Sequence, residues 1–236
     1  MTRRVEIAAA RSSRWLSRQS REFQDALCEK MRPLALARNS KLFHVEDQAP
    51  EIYFIAKGVV VSLVPHPVVG LIPGEVYHAG DWFGLPAALG RRPRLATVEA
   101  RQDCTLLAVT LTDLLYIIRG REDFIRGVLA LMSDNSESHM FHGVDLMIAD
   151  NKLRLCSRLL TLAGRRLTYL PPPDVIIPFS KEELALTSNM SRQSVHDILR
   201  ELVEEGICEL GYGRVTIRDT KALAQLVSSP MVSLAD

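Results

Sequence analysis

At 236 residues, with 47% hydrophobic and 24% charged residues and a net charge of +1, the chain has material for the core of one large or two modest domains. No run of about 18 apolar residues occurs, and the basic start MTRRVEIAAARSSRWLSRQSR lacks the apolar core and cleavage pattern of a leader, so a cytoplasmic protein with no membrane association is expected. Cys28, Cys104, Cys156 and Cys208 are scattered with no CxxC pair, which predicts buried thiols and no metal site.

In chain order, residues 10 to 38 pattern as an amphipathic helix, with Trp15, Phe23, Ala26, Leu27 and Met31 available for one face. Arg3, Arg4, Arg11, Arg14, Arg18 and Arg21 make its beginning basic, which reads as a solvated face or a frayed arm, with accessory contact to nucleic acid as the second reading. From Lys41 to about Leu111 the pattern changes. KLFHV, EIYFIAKG, VVVSLV and TLLAVTL are rich in β-branched and aromatic residues and are punctuated by glycines, so strands are expected and no helix fits comfortably. Strands at this density imply an all-β sandwich or barrel with room for an interior pocket. Within it, Gly80-Asp81-Trp82-Phe83-Gly84 followed by Arg94-Leu95-Ala96-Thr97-Val98 pairs glycines beside a short helical turn with an arginine suited to a phosphate. A plain strand-to-strand connection fits the same residues.

Thr112-Asp113 can begin a short helix, and a longer one runs from about Arg121 to Asp150. Along it Ile125, Leu129, Met132, Ser136, His139, Gly143 and Leu146 fall on alternating steps of four and three, the spacing of a two-helix seam. The stripe also fits a face buried against the β domain. Asp150 can cap the next helix, whose apolar side carries Leu153, Leu155, Leu159, Leu160 and Leu162. Pro171-Pro172-Pro173 then makes a stiff connector.

The stretch SKEELALTSNMSRQSVHDILRELVEEG, from Ser180 to Gly206, reads as two short helices around a tight turn. Ser180 with Glu183 forms a capping box, Asn189 tolerates the positive φ of the turn, and Ser191 caps a second helix with Val195, Ile198, Leu199 and Leu202 inward. Arg192, Gln193, His196 and Arg200 are left for the other side. GICELGYGRVTIRD alternates around Gly211-Tyr212-Gly213 as a hairpin, making a winged helix-turn-helix, a device for presenting a helix to the major groove of DNA. Bulk charge gives no support, since from Asp150 onward 11 Lys and Arg stand against 11 Asp and Glu; Lys181, Arg192, Arg200 and Arg214 must supply a local basic face. The tail begins with a helix and is irregular near Pro230. No catalytic constellation is evident, and the pairs Glu182-Glu183 and Glu204-Glu205 read as solvated helix surface.

In this order the parts resemble the cyclic-AMP receptor protein and fumarate/nitrate reductase regulator superfamily of bacterial transcription factors over roughly residues 25 to 225, through EIYFIAKGVV, GDWFG, RLATV and MSRQSVHDILRELVEEGIC. The resemblance implies an α+β fold: an N-terminal helical arm and cyclic-nucleotide-binding-like β-roll (jelly roll) over 1–120, a dimerisation helix and hinge over 121–150, and a winged helix-turn-helix over 151–236. It implies double-stranded DNA, a second copy of the chain and RNA polymerase as partners, and no enzymatic activity.

Carried over residue by residue, the resemblance makes Ser180 and Ser191 phosphate-contacting hydroxyls and Arg192 a reader of guanine; Lys181, Ser194, His196, Arg200 and Arg214 are expected on the same DNA face from their place beside these residues. Gln193 replaces the family's glutamate and Asp197 stands where a second reading arginine is usual, so the half-site differs. The effector site departs further. After Gly84, Leu85 replaces the ribose-binding glutamate; Arg94 is retained, but Leu95 replaces a serine, and His139 and Met140 replace the purine-contacting Thr-Ser pair. These losses make cyclic AMP a poor ligand and predict no cofactor. The iron-sulfur branch's clustered N-terminal cysteines are absent except for Cys28, and His44, His78 and His139 lie in no haem-attachment motif. The alternative is a regulator gated by a nonstandard small-molecule or haem-type effector.

Overall fold

Glu51–Lys57 forms a strand whose side chains alternate between two cores, Ile52 and Phe54 into one and Tyr53 and Ile55 into the other. Burial on both faces explains why EIYFIAK reads as a nearly continuous apolar run. In the computed structural model, which describes residues 2–48, 50–164 and 170–227, this strand sits in the first of two compact units, Met1–Ser136 and Glu137–Asp236. The division falls within the long helix.

The first unit holds two four-stranded antiparallel sheets. One orders Arg32–Leu36 (β1), Cys104–Thr110 (β8), Glu51–Lys57 (β3) and Trp82–Phe83 (β6) side by side. The other orders Lys41–Phe43 (β2), Thr97–Ala100 (β7), Val59–His66 (β4) and Gly70–His78 (β5). Side chains from both sheets meet in the inner core, where Ile55 and Leu106 share a cluster with Val60, Val98 and Ala100. This is the expected β-roll. Its interior carries a run of rings, with centroids 5.9 Å apart from Phe43 to Tyr53, 5.3 Å from Tyr53 to Phe83 and 4.9 Å from Phe83 to Tyr77.

The outer core lies on the other face of the first sheet, against helices Thr2–Ser12 (α1), Arg21–Lys30 (α2), Leu111–Ile118 (α4) and Glu122–Asp145 (α5). Phe23, Leu27 and Met31 pack there with Phe124, Val128 and Leu131 of α5, each contributing roughly 1.5–3 kcal/mol through burial. Trp15 donates its indole N–H to the Gly127 carbonyl at 2.7 Å, and Trp82 donates to Ser13 Oγ at 3.0 Å. The N-terminal segment is therefore docked.

Five expectations differ from the structure. The helix expected over residues 10 to 38 is two helices and a strand. Ser20 caps α2 by accepting from the Phe23 amide at 3.3 Å, and beyond extended Met31 the chain pairs with β8 from Arg32. A frayed arm is excluded by the burial of Ala10, Trp15 and Leu16, although Arg3, Arg4, Arg18 and Arg21 are solvated. The strand region also contains a short helix, Leu85–Gly90 (α3), opened by Gly84 at φ 91° with Pro86 in its first turn. The short helix before α5 is capped by Thr110 rather than begun at Thr112. Finally, α5 ends at Asp145 rather than Asp150, because the Asp145 carboxylate turns inward to accept from Ser157 Oγ at 2.5 Å and Thr161 Oγ1 at 2.8 Å. Leu146 of the expected seam consequently lies just beyond the helix.

In the second unit, Asn151–Leu162 (α6) is capped by Asp150, which accepts from the Leu153 amide at 2.8 Å. Leu155, Leu159, Leu160 and Leu162 are fully buried, whereas Leu153 is exposed. Val175–Ile177 (β9), Lys181–Thr187 (α7), Arg192–Glu204 (α8), Cys208–Gly211 (β10), Arg214–Ile217 (β11) and Thr220–Val227 (α9) follow. The strands form one antiparallel sheet in the order β10, β11, β9. The expected irregularity near Pro230 lies outside the described residues. All four cysteines are free and buried, as the spacing predicts.

Candidate nucleic-acid interface

The local chemistry of α7 and α8 fixes how the second unit presents its side chains. Ser180 Oγ accepts from the Glu183 amide at 3.1 Å while Glu183 Oε2 accepts from the Ser180 amide at 2.8 Å, so both halves of the capping box are made. Ala185 is buried and its carbonyl accepts from the Met190 amide at 3.0 Å, which closes the turn. Asn189 takes φ 50° there, the left-handed conformation that asparagine tolerates. Ser191 caps α8 by accepting from the Ser194 amide at 3.0 Å, and its Oγ lies 2.8 Å from Ser194 Oγ. Ser180 accepts as a cap, and its hydroxyl also bonds the Glu182 carboxylate; that carboxylate's own backbone amide, with Arg192 and the Ser180 hydroxyl, holds it below its ordinary range.

Val195, Ile198, Leu199 and Leu202 anchor α8 in the core, which turns its opposite face outward. Arg192, Gln193 and Arg200 are exposed; Ser194, His196 and Asp197 are half-buried beside them. The hairpin turns on Tyr212-Gly213, with Gly211 opposite Arg214 and Gly213 at φ 62°. Arg214 folds over Gly211, so close that a Cβ there would lie 2.7 Å from its Nε. Between the start of α7, the start of α8 and the hairpin runs a groove of about 510 Å³, lined by Ser180, Lys181, Glu182, Arg192, Tyr212 and Arg214 among others. The sequence-predicted contact residues Ser180, Lys181, Arg192 and Arg214 thus share one cleft.

Several of these side chains already have partners. Arg192 Nη2 pairs with Glu182 Oε1 at 2.7 Å, and Gln193 Nε2 donates to Asp197 Oδ1 at 2.9 Å. Lys181 Nζ lies 2.7 Å from His196 Nδ1, and Arg200 pairs with Glu204 at 3.6 Å. The pair Glu182-Glu183 is expected on a solvated helix surface, with Glu183 also expected in the capping box, and the structure separates the two. Glu183 is a half-buried cap, and Glu182 is an exposed partner of Arg192. Arg154 was also missed. From α6 it donates to the carbonyls of Ser188 and Asn189 in the turn, a contact 34 residues away with no local signature.

The residues expected to line an effector site divide between the two units. In the first, Arg94 is buried and donates from Nη1 to the Gly84 carbonyl at 2.8 Å and from Nη2 to the Glu51 carbonyl at 2.7 Å. Its guanidinium lies over Phe43, 4.3 Å from the ring centroid, and burial lowers its affinity for the proton. Gly84 is required there: besides its positive φ, a Cβ would meet the Glu51 carbonyl at 2.9 Å. Leu85 is fully buried, whereas Leu95 is exposed. His139 and Met140 belong to the second unit, where both are exposed. Among the described residues, no group of three or more His, Cys, Asp or Glu side chains is placed to hold a metal, and no helix is long and apolar enough to cross a membrane.

Residues 33–121 match the model of the cyclic nucleotide-binding domain, and residues 153–226 match that of the Crp-like helix-turn-helix domain. The chain is 27% identical over 191 residues to the cyclic AMP receptor protein of Thermus thermophilus, covering 78% of this chain and 83% of that one. It is 23% identical over 201 residues to the transcriptional regulator LdrP of the same species, covering 83% and 96%. In fold it is similar to FixK2 from Bradyrhizobium japonicum, with a TM-score of 0.66 at 18% identity over 84% of this chain and 98% of that one. With a β-roll matching one of these domain models and a winged helix-turn-helix matching the other, the chain belongs to the CRP/FNR family of transcriptional regulators.

Proposed function

We propose that the chain acts as a homodimer in the cytoplasm, placing two copies of α8 in successive major grooves of a palindromic operator, and that cyclic AMP does not control it. The observation that carries the reading is the shared cleft of Ser180, Lys181, Arg192 and Arg214 beside an α8 anchored by four buried apolar residues. In this reading Arg192 donates to O6 and N7 of a guanine, Gln193 favours adenine, and Lys181, Arg200, Arg214 and the two cap hydroxyls meet phosphates.

Support for the homodimer comes from α5. One face enters the outer core through Phe124, Val128 and Leu131, with Met132 of the expected seam packed partly against it, while Ile125, Leu129, Ser136, His139 and Gly143 of that seam are exposed. Met140, Val144 and Met147 add exposed apolar surface nearby. Independence from cyclic AMP is supported by Arg94, whose two terminal nitrogens already serve backbone carbonyls, and by apolar Leu85. A regulator gated by a nonstandard small-molecule or haem-type effector would first have to free Arg94 from those carbonyls. RNA polymerase is a partner by family resemblance.

Selection of bound duplexes from a random pool tests this reading. An inverted repeat is expected, with half-sites centred about 10 base pairs apart and a guanine in each, bound equally with and without cyclic AMP. A non-palindromic consensus, or binding only with the nucleotide, would contradict it.

A further inference from the structure

We infer that Glu182 is a specificity-determining residue of the DNA-reading face, a carboxylate that holds Arg192 toward the bases and away from the phosphates. The inference rests on the regulator reading above and adds a residue that the reading does not use. Glu182 and Arg192 stand in the first turns of different helices, α7 and α8, and both line the cleft beside the hairpin. Their side chains are 54% and 71% exposed and meet at 2.7 Å. An ion pair that open contributes little to stability, so its effect must be sought in what it does to Arg192.

A negative charge in a cleft that meets a polyanion opposes sequence-independent binding. What it offers in return is geometry. The guanidinium has five N–H donors in a rigid fork, of which a guanine's O6 and N7 need two. With Glu182 accepting from Nη2, part of the fork is occupied and the side chain has lost much of its freedom to swing. Unrestrained, Arg192 would reach phosphate oxygens on any sequence. The same arrangement recurs one residue on, where Asp197 takes one amide proton of Gln193 and leaves the other proton and the oxygen for a base.

The test uses the full chain and measures affinity across salt for the selected operator, for operators with the guanine facing Arg192 replaced, and for a scrambled duplex. Wild type is compared with E182Q, E182D and R192A, with circular dichroism and thermal unfolding confirming an unchanged fold. E182Q is expected to bind the scrambled duplex about 3- to 10-fold more tightly, with a salt slope steeper by about 1. Its discrimination at the guanine is expected to fall from about 10-fold or more to about 2-fold, and E182D to restore most of it. The inference is overturned if E182Q leaves discrimination and scrambled-duplex affinity unchanged, or if it weakens all duplexes equally. Wild type binding no duplex, or R192A binding as wild type does, would overturn the regulator reading itself, and the inference with it.

Discussion

Arg154 on α6 donates from Nε to the carbonyl of Ser188 at 2.9 Å, in the turn that separates the two helices of the reader. The same guanidinium reaches the Asn189 carbonyl at 3.4 Å and the Ile148 carbonyl at 2.5 Å. These carbonyls lie in the turn after α7 and in the link before α6, and a planar donor fork satisfies them together. Replacing Arg154 by Ala is expected to destabilise the second unit by about 1–3 kcal/mol and to weaken operator binding. Lysine should recover only part of the loss. Amide exchange at Asn189 and Met190 checks this locally, and unchanged protection there would show that the turn holds without Arg154.

Leu129 is 55% exposed on α5, so a charged substitution there costs the single chain little. L129E is expected to sediment as a monomer at concentrations where wild type is a dimer, and to lose the affinity gained by occupying two half-sites. Trp15 and Trp82 both lie in the outer core and report by fluorescence whether the first unit has stayed folded. An undiminished mass for a folded variant would place the dimer contact elsewhere.

Arg94 is expected to behave as a structural residue. Methionine at this position takes the Arg94 donors from the Glu51 and Gly84 carbonyls, of which Gly84 keeps the Ala88 amide as a donor, and a loss of about 1–3 kcal/mol follows. Urea unfolding followed by tryptophan fluorescence reads it. Native operator affinity should be unchanged; a variant of full stability whose response to an anionic ligand has vanished would instead make Arg94 an effector contact.

Burial pushes the thiols of Cys156 and Cys208 up to about 12 from an ordinary 9.0. Between those values the unfolded chain has released thiol protons that the folded chain keeps, so the unfolded state binds fewer protons and stability falls as pH rises from 9 toward 12. Below about pH 9 this contribution is fully present. The native protein is expected to resist alkylation at neutral pH and to react fully in denaturant, which counting modified thiols by mass checks.

The second unit was more legible in the sequence than the first, for a physical reason. The Ser180-Glu183 box, positive φ at Asn189, the Ser191 and Asp150 caps and the Tyr212-Gly213 turn are all settled by residues within four positions of one another. Arg94 reaches Glu51 across 43 residues and Trp15 reaches Gly127 across 112, and no periodicity encodes such meetings. Glu182 was visible as a residue and invisible as a partner, since its pairing with Arg192 depends on how closely α7 and α8 approach. The two-residue β6 is too brief to establish a period, and α3 is legible only as a short helical turn beside Gly84 for the same reason.

The central claim is that the exposed start of α8 reads duplex DNA, and operator binding by R192A across a salt series tests it most directly. Arg192 is well exposed, so the variant should unfold as wild type does. A loss of about 1–3 kcal/mol in operator affinity is expected, with the preference for guanine relaxed at the position it faces. A folded R192A that binds the operator with wild-type affinity, sequence preference and salt dependence would contradict the account.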